Sequence, residues 1–118
     1  NLKLLDDLNL IANNREVGGY LNRGMAEALG AHAHVGEVRG EGMLCAVEFV
    51  KDRDDRVFFE AADKVGPQVS AALAATGVIA RAMPQGDILG FAPPFCLTKS
   101  EADEVIHKTT KAVQSVLG

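Results

Sequence analysis

The sequence predicts an α+β domain, a small, mostly antiparallel sheet with helices packed on one face. Three observations carry this expectation. Apolar residues recur at helical spacing at both ends of the chain, short runs of strand-forming residues occupy the middle, and Gly and Pro punctuate the boundaries. The order read from the residues is helix, strand, helix, hairpin, helix, within a single domain of 118 residues.

Leu4, Leu8, Ile11, Val17, Leu21, Met25 and Ala28 form the stripe of an amphipathic helix between Leu2 and Leu29. Asn13 and Asn14 are its weak point, because Asn competes for backbone hydrogen bonds, and one long helix or two abutting ones fit equally well. Gly18 and Gly19 each cost about 1 kcal/mol relative to Ala inside a helix, so close packing against another element is expected there. Gly30 follows Leu29 as a helix stop.

The stretch from Val35 to Gly42 holds three glycines but matches neither phosphate-loop spacing, and a strand rather than a helix follows it. It reads as a strand entry with bulges and tight turns. Met43 to Val50 is rich in strand formers and places Met43, Cys45, Val47 and Phe49 on one face, with Leu44, Ala46, Glu48 and Val50 on the other. Glu48, among apolar neighbours, calls for a partner, and Arg39 is the candidate. Lys51 to Arg56 alternates charges without the turn glycine and closing Glu of a calcium loop, so a solvated turn is expected.

Ala62, Val65, Val69, Ala72 and Leu73 mark a helical region from about Phe59 to Thr76. Pro67 limits it: either the helix proper starts near Val65 with Pro67 in its first turn, or a kink follows a short preceding turn. Gly77 supplies the stop. Val78 to Met83 and Asp87 to Ala92 read as the two strands of a hairpin turned by Pro84, Gln85 and Gly86, and Pro93-Pro94 ends the second strand by removing backbone donors. Thr98-Lys-Ser-Glu101 is a capping box opening a last helix to Leu117, with Ala102, Val105, Ile106, Thr109, Val113 and Val116 facing inward.

Composition narrows the function. The net charge of −4 without a Lys/Arg run argues against nucleic acid as a partner, and no apolar stretch approaches the roughly 18 residues of a membrane span. Cys45 and Cys96 sit in apolar runs without metal-ligand spacing and read as buried thiols of a reducing, cytoplasmic setting. With aromatics at 5% of residues and no Trp, the large core pieces are expected to be Phe49, Phe58, Phe59, Phe91 and Phe95. The chain opens on Asn1, without a signal-peptide pattern, which reads as a cut rather than a natural start.

Among residues that carry chemistry, Arg81 stands out, a charge in the middle of an apolar strand. One reading is a snorkelling or ion-paired arginine, with Asp87 across the hairpin as its partner. The other is a carboxylate clamp, because the guanidinium fork matches a carboxylate bidentately. His32 and His34 lack further metal ligands nearby, and His107 lies in a polar part of the last helix. Ser70, Ser100 and Ser115 have no nucleophile elbow or adjacent base, and Lys3, Lys51, Lys64, Lys99, Lys108 and Lys111 fall on loops and outer faces rather than in sites that would activate them. No self-sufficient catalytic set, cofactor site or metal site is expected within the chain.

These pieces together resemble the C-terminal small domain of class III, ω-amino-acid:pyruvate-type aminotransferases of fold type I. The resemblance runs through Ala12 to Leu21, Val35 to Met43 with Glu48 following, Gly77-Val-Ile-Ala-Arg81, Gly86-Asp87, and Phe91-Ala-Pro-Pro-Phe-Cys-Leu-Thr98. It implies a parent enzyme that uses pyridoxal phosphate to move an amino group from an amine or ω-amino acid to a keto acid such as pyruvate. It also implies that residues 1–118 are a fragment lacking the large domain with its Schiff-base lysine, inactive alone. Arg81 would match the mobile arginine that binds the substrate carboxylate, and the full-length enzyme would be a homodimer or tetramer. The alternative from another class is a stand-alone α+β module that binds a small amino acid or dimerises without catalysis.

Overall fold

The computed structural model describes residues 10–55, 57–78, 80–83, 87–93 and 97–118. The elements are helix α1 (Leu10–Leu29), strands β1 (Val35–Glu41) and β2 (Leu44–Phe49), a 3-10 turn (Ala61–Asp63), helix α2 (Val65–Ala74), strands β3 (Arg81–Ala82) and β4 (Ile88–Phe91), and helix α3 (Lys99–Leu117). The four strands form one sheet in the order β1-β2-β4-β3, and every neighbouring pair is antiparallel. All three helices cover one face, so the architecture is the α+β layer expected from the sequence. The part of the first helix expected over residues 2–9, the hairpin turn at 84–86, Pro94, Phe95 and Cys96 lie outside the described residues.

Helix α1 runs unbroken through Asn13 and Asn14. The two amides act outward instead of bending the helix: Asn13 Nδ2 donates to the Leu97 carbonyl (3.0 Å), and Asn14 Oδ1 accepts from Met43 N (3.0 Å). Eight residues on, Asn22 Nδ2 donates to the carbonyls of Gly18, Gly42 and Leu44. Asn14 and Asn22 thus grip the turn between β1 and β2, where Gly42 has a φ of +57°. Gly18 makes that grip possible, since a β-carbon on it would lie 2.1 Å from the Gly42 carbonyl oxygen. Gly19, in contrast, would meet only the end of the Arg23 side chain, so the close-packing expectation holds for the first glycine alone.

The strand pattern predicted for β2 is reproduced on its helix side, where Met43, Cys45, Val47 and Phe49 are buried. They meet Val35, Leu89 and Phe91 from the sheet, Val17, Leu21, Met25 and Leu29 from α1, Val65, Val69 and Leu73 from α2, and Ala102, Ala112 and Val113 from α3. Val35 to Glu41 forms a full strand, with an irregularity between Val35 and Glu37. The expected single strand is therefore a second hairpin. Not every residue expected inside is inside: Ile11 is 53% exposed and Phe58 61%, because among the described residues the buried stripe of α1 runs from Val17 and the chain before α2 runs over the surface.

Helix α2 starts at Val65 with Pro67 in its first turn, where a missing N–H costs nothing. It stops through Gly77 (φ +89°), with Gly77 N donating to the Ala74 carbonyl and Val78 N to the Leu73 carbonyl. This crossed pair of bonds satisfies carbonyls that the helix end would leave open. At α3 the capping box forms as read: Thr98 Oγ1 accepts from Glu101 N (3.1 Å) and Glu101 Oε1 accepts from Thr98 N (3.0 Å).

Candidate functional site

The face of the sheet opposite the helices carries the candidate site. Residues directly opposite in an antiparallel ladder project to the same side. The register places Arg39 (β1), Ala46 (β2), Gly90 (β4) and Arg81 (β3) in one row across all four strands. With strands about 4.8 Å apart, the two arginines stand about 14 Å from one another across the sheet. Between them Ala46 offers a methyl group and Gly90 no side chain.

The two arginines differ in their electrostatics. Arg39 is neutralised by carboxylates on its own face, with Nη1 at 3.0 Å from Glu37 Oε2 and 3.8 Å from Glu48 Oε2, which supplies the partner that Glu48 required. Arg81 is exposed and has no hydrogen bond or ion pair from its side chain among the described residues. Asp87 is not its partner. The Asp87 carboxylate turns to the helix side and accepts from Gly66 N (3.1 Å) at the start of α2. That helix begins on Lys64, in the left-handed region at φ 48°, with no side-chain cap of its own. An unpaired first-turn N–H there draws an acceptor from elsewhere, and the helix dipole favours a carboxylate.

The strand carrying Arg81 is shorter than the sequence predicts. Only Arg81–Ala82 pair as β3, at the edge of the sheet, with Met83 N adding a bond to the Ile88 carbonyl (2.9 Å). Before it, the Ala80 carbonyl leaves the ladder and accepts from Ser70 Oγ of α2 (2.7 Å). On the open face, Met83 lies beside Arg81, its methyl group 2.6 Å from where a β-carbon on residue 90 would be. A side chain at Gly90 would therefore displace the Met83 methyl group.

Other hollows are already internally satisfied. One of about 440 Å³, on the helix side, is lined by apolar residues including Leu21, Phe91 and Leu97, with Glu101, Glu104 and Lys108 at its rim. Glu101 serves the α3 cap, and Lys108 bonds Glu104 (2.7 Å) and the Thr76 carbonyl (2.9 Å). The hydrogen bond from Lys108 holds the Glu104 carboxyl below its usual range. A hollow of about 550 Å³ lies beside His34 and Lys51–Asp54, but the histidines shape the loop: His32 Nδ1 accepts from His34 N (3.0 Å), and His34 Nδ1 lies 3.1 Å from the Val50 carbonyl oxygen. No group of three or more metal-ligating side chains occurs among the described residues. No described helix is long and apolar enough to cross a membrane.

Sequence reasoning found Arg81 and Arg39 but missed Gly90, Ser70 and the destination of Asp87. Counting back from a turn at Pro84 to Gly86 pairs Arg81 with Leu89, whereas the observed register pairs it with Gly90, one residue further on. The spacing of Gly66 and Ser70, four apart and so on one helix face, was the available signal for α2.

Residues 1–113 match the family model described as aminotransferase class-III. The diaminobutyrate–2-oxoglutarate transaminase of Halomonas elongata is 48% identical over 98% of the chain, which covers 25% of that protein. An uncharacterised aminotransferase of Bacillus subtilis is 34% identical over 98% of the chain and 26% of its own length. Among solved structures, an (S)-enantioselective omega-transaminase from Thermomicrobium roseum superposes with a TM-score of 0.91 at 33% identity, over 99% of this chain and 25% of that one. A transaminase solved with L-ala has a TM-score of 0.89 at 34% identity, over 98% and 26%. The chain spans about a quarter of the length of each of these relatives.

Proposed function

The chain belongs to the class-III aminotransferase family, and from that membership we propose that residues 1–118 are the C-terminal small domain of an aminotransferase in which Arg81 binds the substrate carboxylate. The reaction is transfer of an amino group from an amine or ω-amino acid to a keto acid such as pyruvate. The single observation that carries the role of Arg81 is its guanidinium on the helix-free face, without an acidic partner among the described residues and beside a glycine. Such a fork is set to take both oxygens of a carboxylate. The names of the relatives support the substrate class, since 2-oxoglutarate and L-alanine both carry one. Because no carboxylate among the described residues holds Arg81, turning its side chain to solvent costs little on the part of this segment, so the same face also admits an uncharged amine.

The family depends on pyridoxal phosphate, which supplies the electron sink for transamination. Among the described residues no lysine is buried. Lys51, Lys64, Lys99 and Lys111 are exposed, and Lys108 is committed to Glu104 and Thr76. Lys3 lies outside the described residues. The Schiff-base lysine and the catalytic groups are accordingly assigned to the rest of a full-length protein, and this segment alone is expected to be inactive. Assembly as a homodimer or tetramer in the cytoplasm belongs to the same proposal.

The test is Arg81→Ala in the full-length aminotransferase that carries this segment. Leaving a substrate carboxylate unpaired should weaken kcat/KM for the keto acid by about 2–4 kcal/mol, roughly 30- to 1,000-fold, with little loss toward a simple amine. Equal losses for both substrate types would make Arg81 structural.

A further inference from the structure

We propose that Ser70 and Asp87 are positioning residues for Arg81, acting from helix α2 on the two chain segments that flank it. This rests on the carboxylate-binding reading of Arg81. The need arises from the strand itself. β3 has two residues and lies at the sheet edge, so the ladder fixes Arg81 through β4 alone. A long cation on so short an edge strand would shift with its backbone.

Helix α2 supplies what the ladder lacks. Ser70 Oγ donates to the Ala80 carbonyl, in the peptide that joins Ala80 to Arg81 (2.7 Å). One turn earlier, Gly66 N donates to Asp87 Oδ1 (3.1 Å), and the Asp87 carbonyl accepts from Phe49 N of β2 (2.7 Å). The hairpin packs directly on this turn of the helix: a β-carbon on Gly66 would lie in ordinary contact with Asp87 Oδ1 (3.6 Å) and Ala82 Cβ (3.8 Å). Residues 66 and 70 share one face of α2. Both arms of the hairpin are therefore tied to that face, one just before Arg81 and the other at the start of the strand that pairs with it. The backbone under Arg81 is held while its guanidinium carries no partner among the described residues. Carboxylate binding then orders only the side chain, which is the economy of preorganisation.

The test compares kcat/KM for a keto acid with that for an uncharged amine in the full-length aminotransferase carrying this segment. Ser70→Ala should lower the ratio about threefold, the scale of one neutral hydrogen bond. Asp87→Glu, which keeps the charge but inserts a methylene between helix and hairpin, should lower it about tenfold, with the change in KM of the keto acid rather than in kcat. Asp87→Asn keeps the accepting oxygen and should hold the ratio within about threefold of the parent. In the Arg81→Ala background, Ser70→Ala should leave the ratio unaltered. If Arg81→Ala is selective for the keto acid but Ser70→Ala and Asp87→Glu are not, the positioning role is overturned while the binding role stands. If Arg81→Ala itself is unselective, the binding role fails and the positioning role falls with it. Ser70→Ala removes only one oxygen, so it keeps the test decisive should an Asp87 variant fail to fold.

Discussion

Gly18→Ala and Gly19→Ala, one residue apart on α1, should move stability in opposite directions. At Gly18 the new β-carbon would stand 2.1 Å from the Gly42 oxygen, 2.3 Å from its carbonyl carbon and 2.9 Å from Met43 N. All three are backbone atoms, so the β1–β2 turn would have to retreat by more than about 1 Å to reach ordinary contact. Retreat strains the bonds from Met43 N to Asn14 and from Asn22 to the Gly42 carbonyl, each at 3.0 Å. Two such bonds are worth about 2 kcal/mol and overpacking about 1–3 kcal/mol, against a helix-propensity gain of about 1 kcal/mol. The net expectation is a loss of about 2–4 kcal/mol, or roughly 10 °C in Tm for a domain of this size. At Gly19 the neighbour is Arg23 Nη1 at 3.1 Å, the far end of an exposed side chain, so the propensity gain of about 0.5–1 kcal/mol should survive. Urea and thermal denaturation of both variants read the difference. A Gly18→Ala protein as stable as its parent would refute the clamp between α1 and the hairpin.

Thr98→Ala removes the oxygen that accepts from Glu101 N and should cost about 1 kcal/mol by the same denaturation. Cys45 is 3% exposed, and burial pushes its thiol up to about 11 from 9.0. Because the folded state favours the protonated thiol, its contribution to stability is complete below pH 9 and is lost as pH rises from 9 to about 11, which a pH series of urea midpoints with a Cys45→Ala control detects. The same burial should make Cys45 unreactive toward a thiol reagent at pH 8 until denaturant is added.

The parts of the fold set by local rules were legible in the sequence. Alternation placed the buried face of β2, the Thr98–Glu101 box opened α3, and Pro67 with Gly77 bracketed α2, because each depends on residues within a turn of one another. Long-range partners were less legible. Asn13 and Asn14 read as a weak point, yet their side chains find Leu97 and Met43 across the core, and those bonds offset the local competition. β1 was hidden by the glycines in and just after it, two of which serve close approaches: Gly40 lies against Asn22, and Gly42, in the turn, has a positive φ and lies against Asn14. Arg81 was visible as a charge among apolar neighbours. Asp87 was misassigned, because the uncapped start of α2 at Lys64, a competitor for its carboxylate, depends on a left-handed backbone that composition does not reveal.

The central claim is that Arg81 receives the substrate carboxylate, and a crystal structure of the full-length protein with a bound carboxylate substrate tests it most directly. The account predicts two nitrogens of the Arg81 guanidinium at about 2.7–2.9 Å from the two carboxylate oxygens. The substrate carboxylate held by another cation, with Arg81 turned to solvent or paired to an acidic side chain of the protein, would contradict it.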